Sequence, residues 1–238
     1  LSKRNIRPIQ LMYDKQKQFT ADASHEMRTP LAVLNLAVQG LLEDTESRYS
    51  AFAAETLQML KTEVSRLRKL TDTLMELARR DNLGLTVQKD RIDFTALCRR
   101  VINQFILVAE EKQQVINTAL PEKLFVKGDA DSLNMLLIIL LDNAVKYSPV
   151  ASQIFVKAED KKDSVILQVQ DQGIGISDVD KEKIFDRFYR VDKVRSREQG
   201  GLGLGLALAQ SIVRLHGGAI TVLDNKPHGT IMQVRLPK

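Results

Sequence analysis

From about Arg7 to Arg80 the apolar residues recur every three or four positions, the spacing of one helix face; beyond Gly84 short strand patterns alternate with helical ones. The first helical pattern runs from about Arg7 to Leu42, with Pro8 acceptable in a first turn or as a break before it. Within it Leu31, Leu34, Val38 and Leu41 follow a coiled-coil seam. The polar run EDTESRYS interrupts the pattern, and a second helix is predicted from about Ala51 to Arg80. It carries two apolar stripes: Leu57, Leu60, Val64, Leu67 and Leu74 on one, Phe52, Met59, Leu70 and Leu77 on its neighbour. An antiparallel helical hairpin buries one stripe against itself. The surplus face therefore predicts a homodimer completing a four-helix bundle, with packing against the following domain as the competing destination.

Asn82 and Gly84 mark a helix end and a short linker. LTVQK then reads as a strand, DFTALCRRVINQFILVAEEK as a helix capped by Asp93, and VINTAL and LFVKGD as short strands. A deeply buried helix is predicted from about Asp131 to Tyr147, ending in polar residues. The strands QIFVKAE and SVILQVQD flank the charged turn EDKKDS and lead into DQGIGIS. A polar, mobile-looking segment from about Arg187 to Gly200 precedes the helix GLGLGLALAQSIVRLHGG, and the strands AITVLDN and TIMQVRLP close the chain around KPHG. Strands that mostly follow one another as hairpins, with helices between them, predict a mixed sheet covered by helices on one face, hence an α+β fold in two domains.

Composition narrows the class. The 238 residues contain 27% charged and 5% aromatic side chains and no Trp, and the net charge of +5 is spread in mixed-sign stretches, so no nucleic-acid surface is indicated. One cysteine, Cys98, excludes an internal disulfide and a cysteine-rich metal site; its helical pattern makes it a small core or surface residue. No run of eighteen apolar residues spans a membrane. The chain starts at Leu1 rather than Met, which reads as a fragment, and its basic opening LSKRNIRPIQ is what the positive-inside rule places after a transmembrane helix.

Four clusters could carry chemistry. In FTADASHEMRTPL, His25, Arg28 and Thr29 share a helix face, Glu26 lies about 100° round the same turn, and Pro30 cannot donate to the carbonyl of Glu26, which predicts a bend beside the histidine. In DNAVKY, Asn143 and Lys146 lie three apart, offering a carbonyl oxygen to a hard metal and an ammonium to phosphate, while Tyr147 offers a ring to stack or a hydroxyl to donate. In DQGIGI, Asp171 leaves a strand, and Gly173 and Gly175 let the backbone approach a flat ligand. In GGLGLG, Gly201, Gly203 and Gly205 precede a helix whose free N–H groups suit an anion. The Walker pattern is absent, and the glycine spacing is wrong for a dinucleotide fold.

HEMRTP, DNAVKY, DQGIGI, IFDRFYR and GLGLGL, in this order, resemble the H, N, G1, F and G2 boxes of the sensor histidine kinases of two-component signalling, over nearly the whole chain from about Gln18 to Pro237. The resemblance implies a linker helix over residues 1–17, a dimerising phosphoacceptor hairpin over 18–82, and an ATP-binding domain of the gyrase and Hsp90 type over 83–238. It makes His25 the phosphoacceptor, Asn143 the Mg²⁺ ligand and Asp171 the acceptor for the adenine amino group. It further implies that Gly173 and Gly175 shape the nucleotide pocket and that Gly201, Gly203 and Gly205 form the hinge and phosphate end of a lid. Lys146 and Tyr147 fall where the family contacts phosphate and base, and Thr230 where a hydroxyl supports the adenine contact. Many members carry an asparagine one turn before Asn143; here the residue is Ile139.

The chemistry this resemblance implies is coherent. Imidazole attacks only when neutral, which its ordinary pKa of about 6.5 allows. Glu26 can take the ring proton as a general base, and Thr29 can orient a water for removing phosphate from the partner. The implied partners are a second copy and the receiver domain of a response regulator, docked near Ala37, Val38 and Leu41 and the start of the second helix. The implied location is the cytoplasmic part of a membrane protein whose sensing segment is not in this fragment. Two other readings stand beside this one: a degenerate ATP-binding switch or scaffold acting mainly as a phosphatase, for which Ile139 speaks, and a gyrase-like or chaperone-like ATPase, which would leave HEMRTP without a role. His216 is expected as a helix C-terminal cap or dipole partner, His228 lies in a turn, and Phe185 and Phe188 are lid anchors or core.

Overall fold

The computed structural model describes residue 23 and residues 27–41, 51–81, 90–191 and 202–238. The chain divides into two compact units between Met75 and Glu76. LTVQK, most of the expected polar lid segment, His25, Glu26 and Gly201 lie outside the described residues.

The first unit is helical. Helix α1 covers residues 27–41 and runs through Pro30, whose ring is buried. Helix α2 covers Ala51–Asp81. Ala37, Ala53, Thr56, Leu70 and Leu77 are buried. The outward hydroxyls of Thr62, Ser65 and Thr73 bond back to the carbonyls of Gln58, Lys61 and Lys69, so these weak helix formers leave no side-chain donor unsatisfied. Leu31, Leu36, Val38, Leu57, Met59, Val64 and Met75 remain exposed, among them Leu57 and Val64 of one predicted stripe and Met59 of the other.

The second unit is an α+β layer. Strand β1 (Asp90–Asp93) pairs antiparallel with β3 (Phe125–Gly128) in a two-stranded sheet. Helix α3 (Phe94–Glu110) lies between them in sequence, and the Asp93 carboxylate caps it by accepting from the Ala96 N–H at 2.9 Å, which stabilises it by about 1 kcal/mol. The main sheet has the order β2 (Val115–Ala119), β4 (Gln153–Asp160), β5 (Ser164–Gln170), β7 (Thr230–Pro237) and β6 (Ala219–Asp224). Only the β2–β4 pair is parallel, because the connection between them crosses over through helix α4 (Ala130–Tyr147). The expected mixed sheet is present.

Alternation along the strands sets the two faces. Ile154, Val156 and Ala158 of β4, Val165, Leu167 and Val169 of β5, and Met232, Val234 and Leu236 of β7 are buried on one face. They meet α4, which buries Leu133, Leu136, Leu137, Leu140 and Leu141, and helix α5 (Gly205–Leu215), which buries Ala207, Leu208, Ala209, Ile212 and Val213. Each fully buried leucine stabilises this layer by roughly 1.5–3 kcal/mol. Cys98 belongs to this core: it is fully buried, and desolvation pushes its thiol up to about 12, so it is chemically inert.

His216, just past α5, joins the two helices. Its Nδ1 faces the Ile212 carbonyl at 2.8 Å, and its Nε2 accepts from the Asp129 N–H at 3.0 Å, which defines a neutral ring with the proton on Nδ1. Asp129 in turn caps α4, its carboxylate accepting from the Ser132 N–H at 2.8 Å. Gly128 is required beside it, since a Cβ there would lie 2.6 Å from the His216 ring. The role is therefore more than that of a terminal cap. His216→Ala strands a buried N–H and opens a cavity, and we expect it to cost about 2–4 kcal/mol, read as a lower denaturant midpoint at unchanged slope.

Candidate nucleotide site

Three segments distant in sequence meet at one edge of the second unit. The first is the last turn of α4, with Asn143, Lys146 and Tyr147. Its end is held from outside: Gln114, itself buried, donates from Nε2 to the carbonyls of Val145, Ser148 and Pro149 at 3.2, 3.1 and 3.0 Å, and the Lys112 ammonium reaches the Val145 carbonyl at 3.0 Å. These contacts occupy carbonyls that a helix end leaves open. Gln114 was not singled out from the sequence, where a glutamine in a turn carries no signal.

The second segment follows β5. Asp171 is buried, and its Oδ1 accepts from the Gly173 N–H at 2.8 Å and the Thr230 N–H at 3.2 Å. Burial raises its carboxyl pKa, and the two N–H bonds oppose that shift without cancelling it. Gly173 touches both neighbours: a Cβ there would lie 2.7 Å from the Tyr147 carbonyl oxygen and 2.9 Å from Asp171 Oδ1. Gly175, at φ 74, faces the Gly229 carbonyl. The third segment is the turn between β6 and β7, where Gly229 packs so closely that a Cβ would lie 1.9 Å from the Asp171 carbonyl oxygen. Thr230 meets Asp171 through its main chain, its N–H on the carboxylate and its carbonyl accepting the Asp171 N–H at 2.9 Å.

The glycine-rich entry to α5 packs against α4 and the residues around Phe188. Gly203, at φ 68, accepts the Phe188 N–H on its carbonyl at 2.8 Å, so the residues flanking segment 189–202 are hydrogen-bonded to one another. Phe188 itself has φ 62, and both it and Phe185 are half-buried. Gly205 sits over Ile139, whose Cγ2 would be 3.4 Å from a Cβ at that glycine. Upstream, Tyr189 donates to Asp180 at 2.5 Å, and Lys181 bridges Asp178 at 2.7 Å and Asp224 at 2.8 Å. His228 is exposed in its turn.

Asn143, Lys146, Tyr147, Asp171, Gly173, Gly175, Gly203, Gly205 and Thr230 are thus brought into one region by direct contacts and shared helix turns, while His25 and Glu26 lie outside the described residues and Thr29 is exposed on α1. The Asn143 side-chain nitrogen is buried with no hydrogen-bond partner among the described residues. An amide held this way is suited to a ligand that completes it, and its oxygen is the hard donor a Mg²⁺ ion takes alongside phosphate oxygens.

Two family models cover the two parts of the chain. The His Kinase A (phospho-acceptor) domain matches residues 15–83, and the Histidine kinase-, DNA gyrase B-, and HSP90-like ATPase matches residues 128–238. The chain belongs to the sensor histidine kinases. Sensor protein CiaH of Streptococcus pneumoniae is 40% identical over 238 residues, which is 99% of this chain and 52% of that protein. The chain thus spans about half the length of this curated relative. The fold matches that of the histidine kinase ThkA, solved in complex with the response regulator protein TrrA, with TM-score 0.76 at 21% identity over 99% of this chain and 64% of that one. It also matches full-length ShkA, solved in complex with AMPPNP, with TM-score 0.69 at 24% identity over 93% of this chain and 45% of that one. No described helix is long and apolar enough to cross a membrane.

The raised pKa of Asp171 has a direct consequence for stability. A carboxyl whose folded pKa lies above its unfolded value contributes stability that is fully present below the unfolded pKa and lost as pH rises through the folded one. At neutral pH the ionised group therefore carries a desolvation cost that an amide of the same shape avoids. Asp171→Asn is expected to hold or raise the ligand-free melting temperature at neutral pH, with the difference shrinking as pH falls through the carboxylate range; thermal melts across that range check it.

Proposed function

We propose that the chain is the catalytic core of a dimeric sensor histidine kinase that transfers the γ-phosphoryl group of Mg²⁺-bound ATP to His25 and then to an aspartate of a response regulator. The observation that carries the reading is the Asp171 carboxylate. One oxygen is saturated by two main-chain N–H groups, leaving the other, which has no partner among the described residues, for an exocyclic amine. That arrangement accepts adenine and repels the carbonyl that guanine carries at the same position. Asn143 would hold Mg²⁺ and Lys146 the phosphates, while Tyr147 and Gly173 wall the base. Bound Mg²⁺ would neutralise charge developing on the phosphoryl group.

The His25 nitrogen attacks the γ-phosphorus, the bond to the β–γ bridging oxygen breaks, ADP leaves, and Glu26 takes the ring proton. Gly201, Gly203 and Gly205 serve as the hinge and phosphate end of the lid. We place the functional boundaries at a linker over 1–17, a phosphoacceptor hairpin over 18–82 and an ATP-binding domain over 83–238. Exposed Leu57 and Val64 repeat at seven residues and support burial against a second copy. Val38 and Leu41 remain candidates for regulator docking; Ala37 does not, because its side chain is buried. A membrane-anchored sensing segment upstream completes the reading. The alternative, a degenerate ATP-binding switch acting chiefly as a phosphatase, draws on the apolar Ile139 beside Gly205.

Incubation with γ-labelled ATP and Mg²⁺ should give an acid-labile, alkali-stable label on the protein that His25→Gln reduces to background; free phosphate without labelled protein would instead identify an ATPase, and neither product a switch. Thr29→Ala should slow regulator dephosphorylation on the order of 10²-fold with autophosphorylation unchanged, measured by loss of labelled phosphoaspartate. Unaltered dephosphorylation would remove Thr29 from that role.

A further inference from the structure

Base recognition by Asp171 depends on where its carboxylate points, and that in turn depends on the peptide that follows it. The chain leaving Asp171 must turn so that the Gly173 N–H returns to Oδ1 at 2.8 Å. The orientation of the Asp171 carbonyl reports that turn, and this carbonyl accepts from the side-chain nitrogen of Asn225 at 2.8 Å. Gly229 also lies against this oxygen, so closely that a Cβ there would be 1.9 Å away, and the carbonyl thus meets both a glycine backbone and one amide donor.

Asn225 is itself held. Its N–H donates to the Gly229 carbonyl at 3.1 Å, closing the turn between β6 and β7. The preceding Asp224 pairs with Thr230 across the strands and binds the Lys181 ammonium through both oxygens, at 2.8 and 2.9 Å. The turn thus presents Asn225 from a frame anchored on two sides. We propose that Asn225 is a positioning residue for nucleotide selectivity, fixing the Asp171–Gln172 peptide and through it the carboxylate that reads the base; the inference rests on the reading of Asp171 as the adenine acceptor. Loss of the amide frees that peptide to rotate, weakens the Gly173 bond to Oδ1, and lets the carboxylate leave the orientation an amine requires.

The test compares ADP with inosine diphosphate, which carries an oxygen where adenine carries the amine, on the 238-residue chain with Mg²⁺ present. Binding is measured by calorimetry and folding by ligand-free thermal melts. Asn225→Ala, and Asn225→Asp as the same shape without the donor, should each lower the preference for ADP over inosine diphosphate by about threefold to tenfold, the scale of one hydrogen bond. Inosine diphosphate affinity should stay near the parent value. An unchanged preference in both variants, whether affinities hold or fall together, overturns the proposal. Asp171→Asn is the control for the underlying reading: if it keeps the parent preference, Asp171 is not the base acceptor, whereas loss of preference there with none in the Asn225 variants rejects Asn225 alone.

Discussion

A carboxylate taken out of water must have its hydrogen bonds supplied by the protein, and in this chain that requirement organises the whole nucleotide edge. Asp171 obtains two N–H groups on one oxygen only because main chain from two different segments reaches it. That approach explains Gly173 and Gly229, whose positions leave no room for a side chain. It also ties the end of β5 to the start of β7 and brings the N-terminal side of the β6–β7 turn underneath. The backbone geometry that satisfies the buried carboxylate thus also fixes how its side chain is oriented.

The helices are registered from their far ends. His216 links the end of α5 to Asp129 at the start of α4, while Ile139 and Gly205 bring the later part of α4 beside the start of α5. Eighteen residues of α4 span roughly 27 Å, so the His216 junction lies well away from the nucleotide edge and still determines how the two helices face each other there. Gln114 and Lys112 hold the opposite end by both reaching the Val145 carbonyl of the last turn. Asn143 is thus carried on a helix held at both termini.

The helical unit obeys a different constraint. Its burial is incomplete: residues such as Leu31 and Val64 are left in solvent by a pair of helices that can each cover only one stripe. Thr29 stands exposed on the first helix of this unit.

The periodicity and punctuation of the chain determined most of its elements: the helix opened by Asp93, the buried run before Tyr147, the β4–β5 hairpin and the glycine-bounded α5 all lie where their local patterns place them, because caps, turns and burial period are short-range effects. The five boxes also supplied the candidate site residues by type and order. What the sequence could not contain was which backbone groups would meet. The main-chain contacts of Thr230 with Asp171, the tautomer of His216 set by the Asp129 N–H, and the contacts of Gln114 and Asn225 join residues 31 to 87 positions apart or depend on such joins. Such contacts exist only after the sheet has registered, because a glutamine or asparagine in a turn shows no preference for a distant carbonyl until packing excludes water from it.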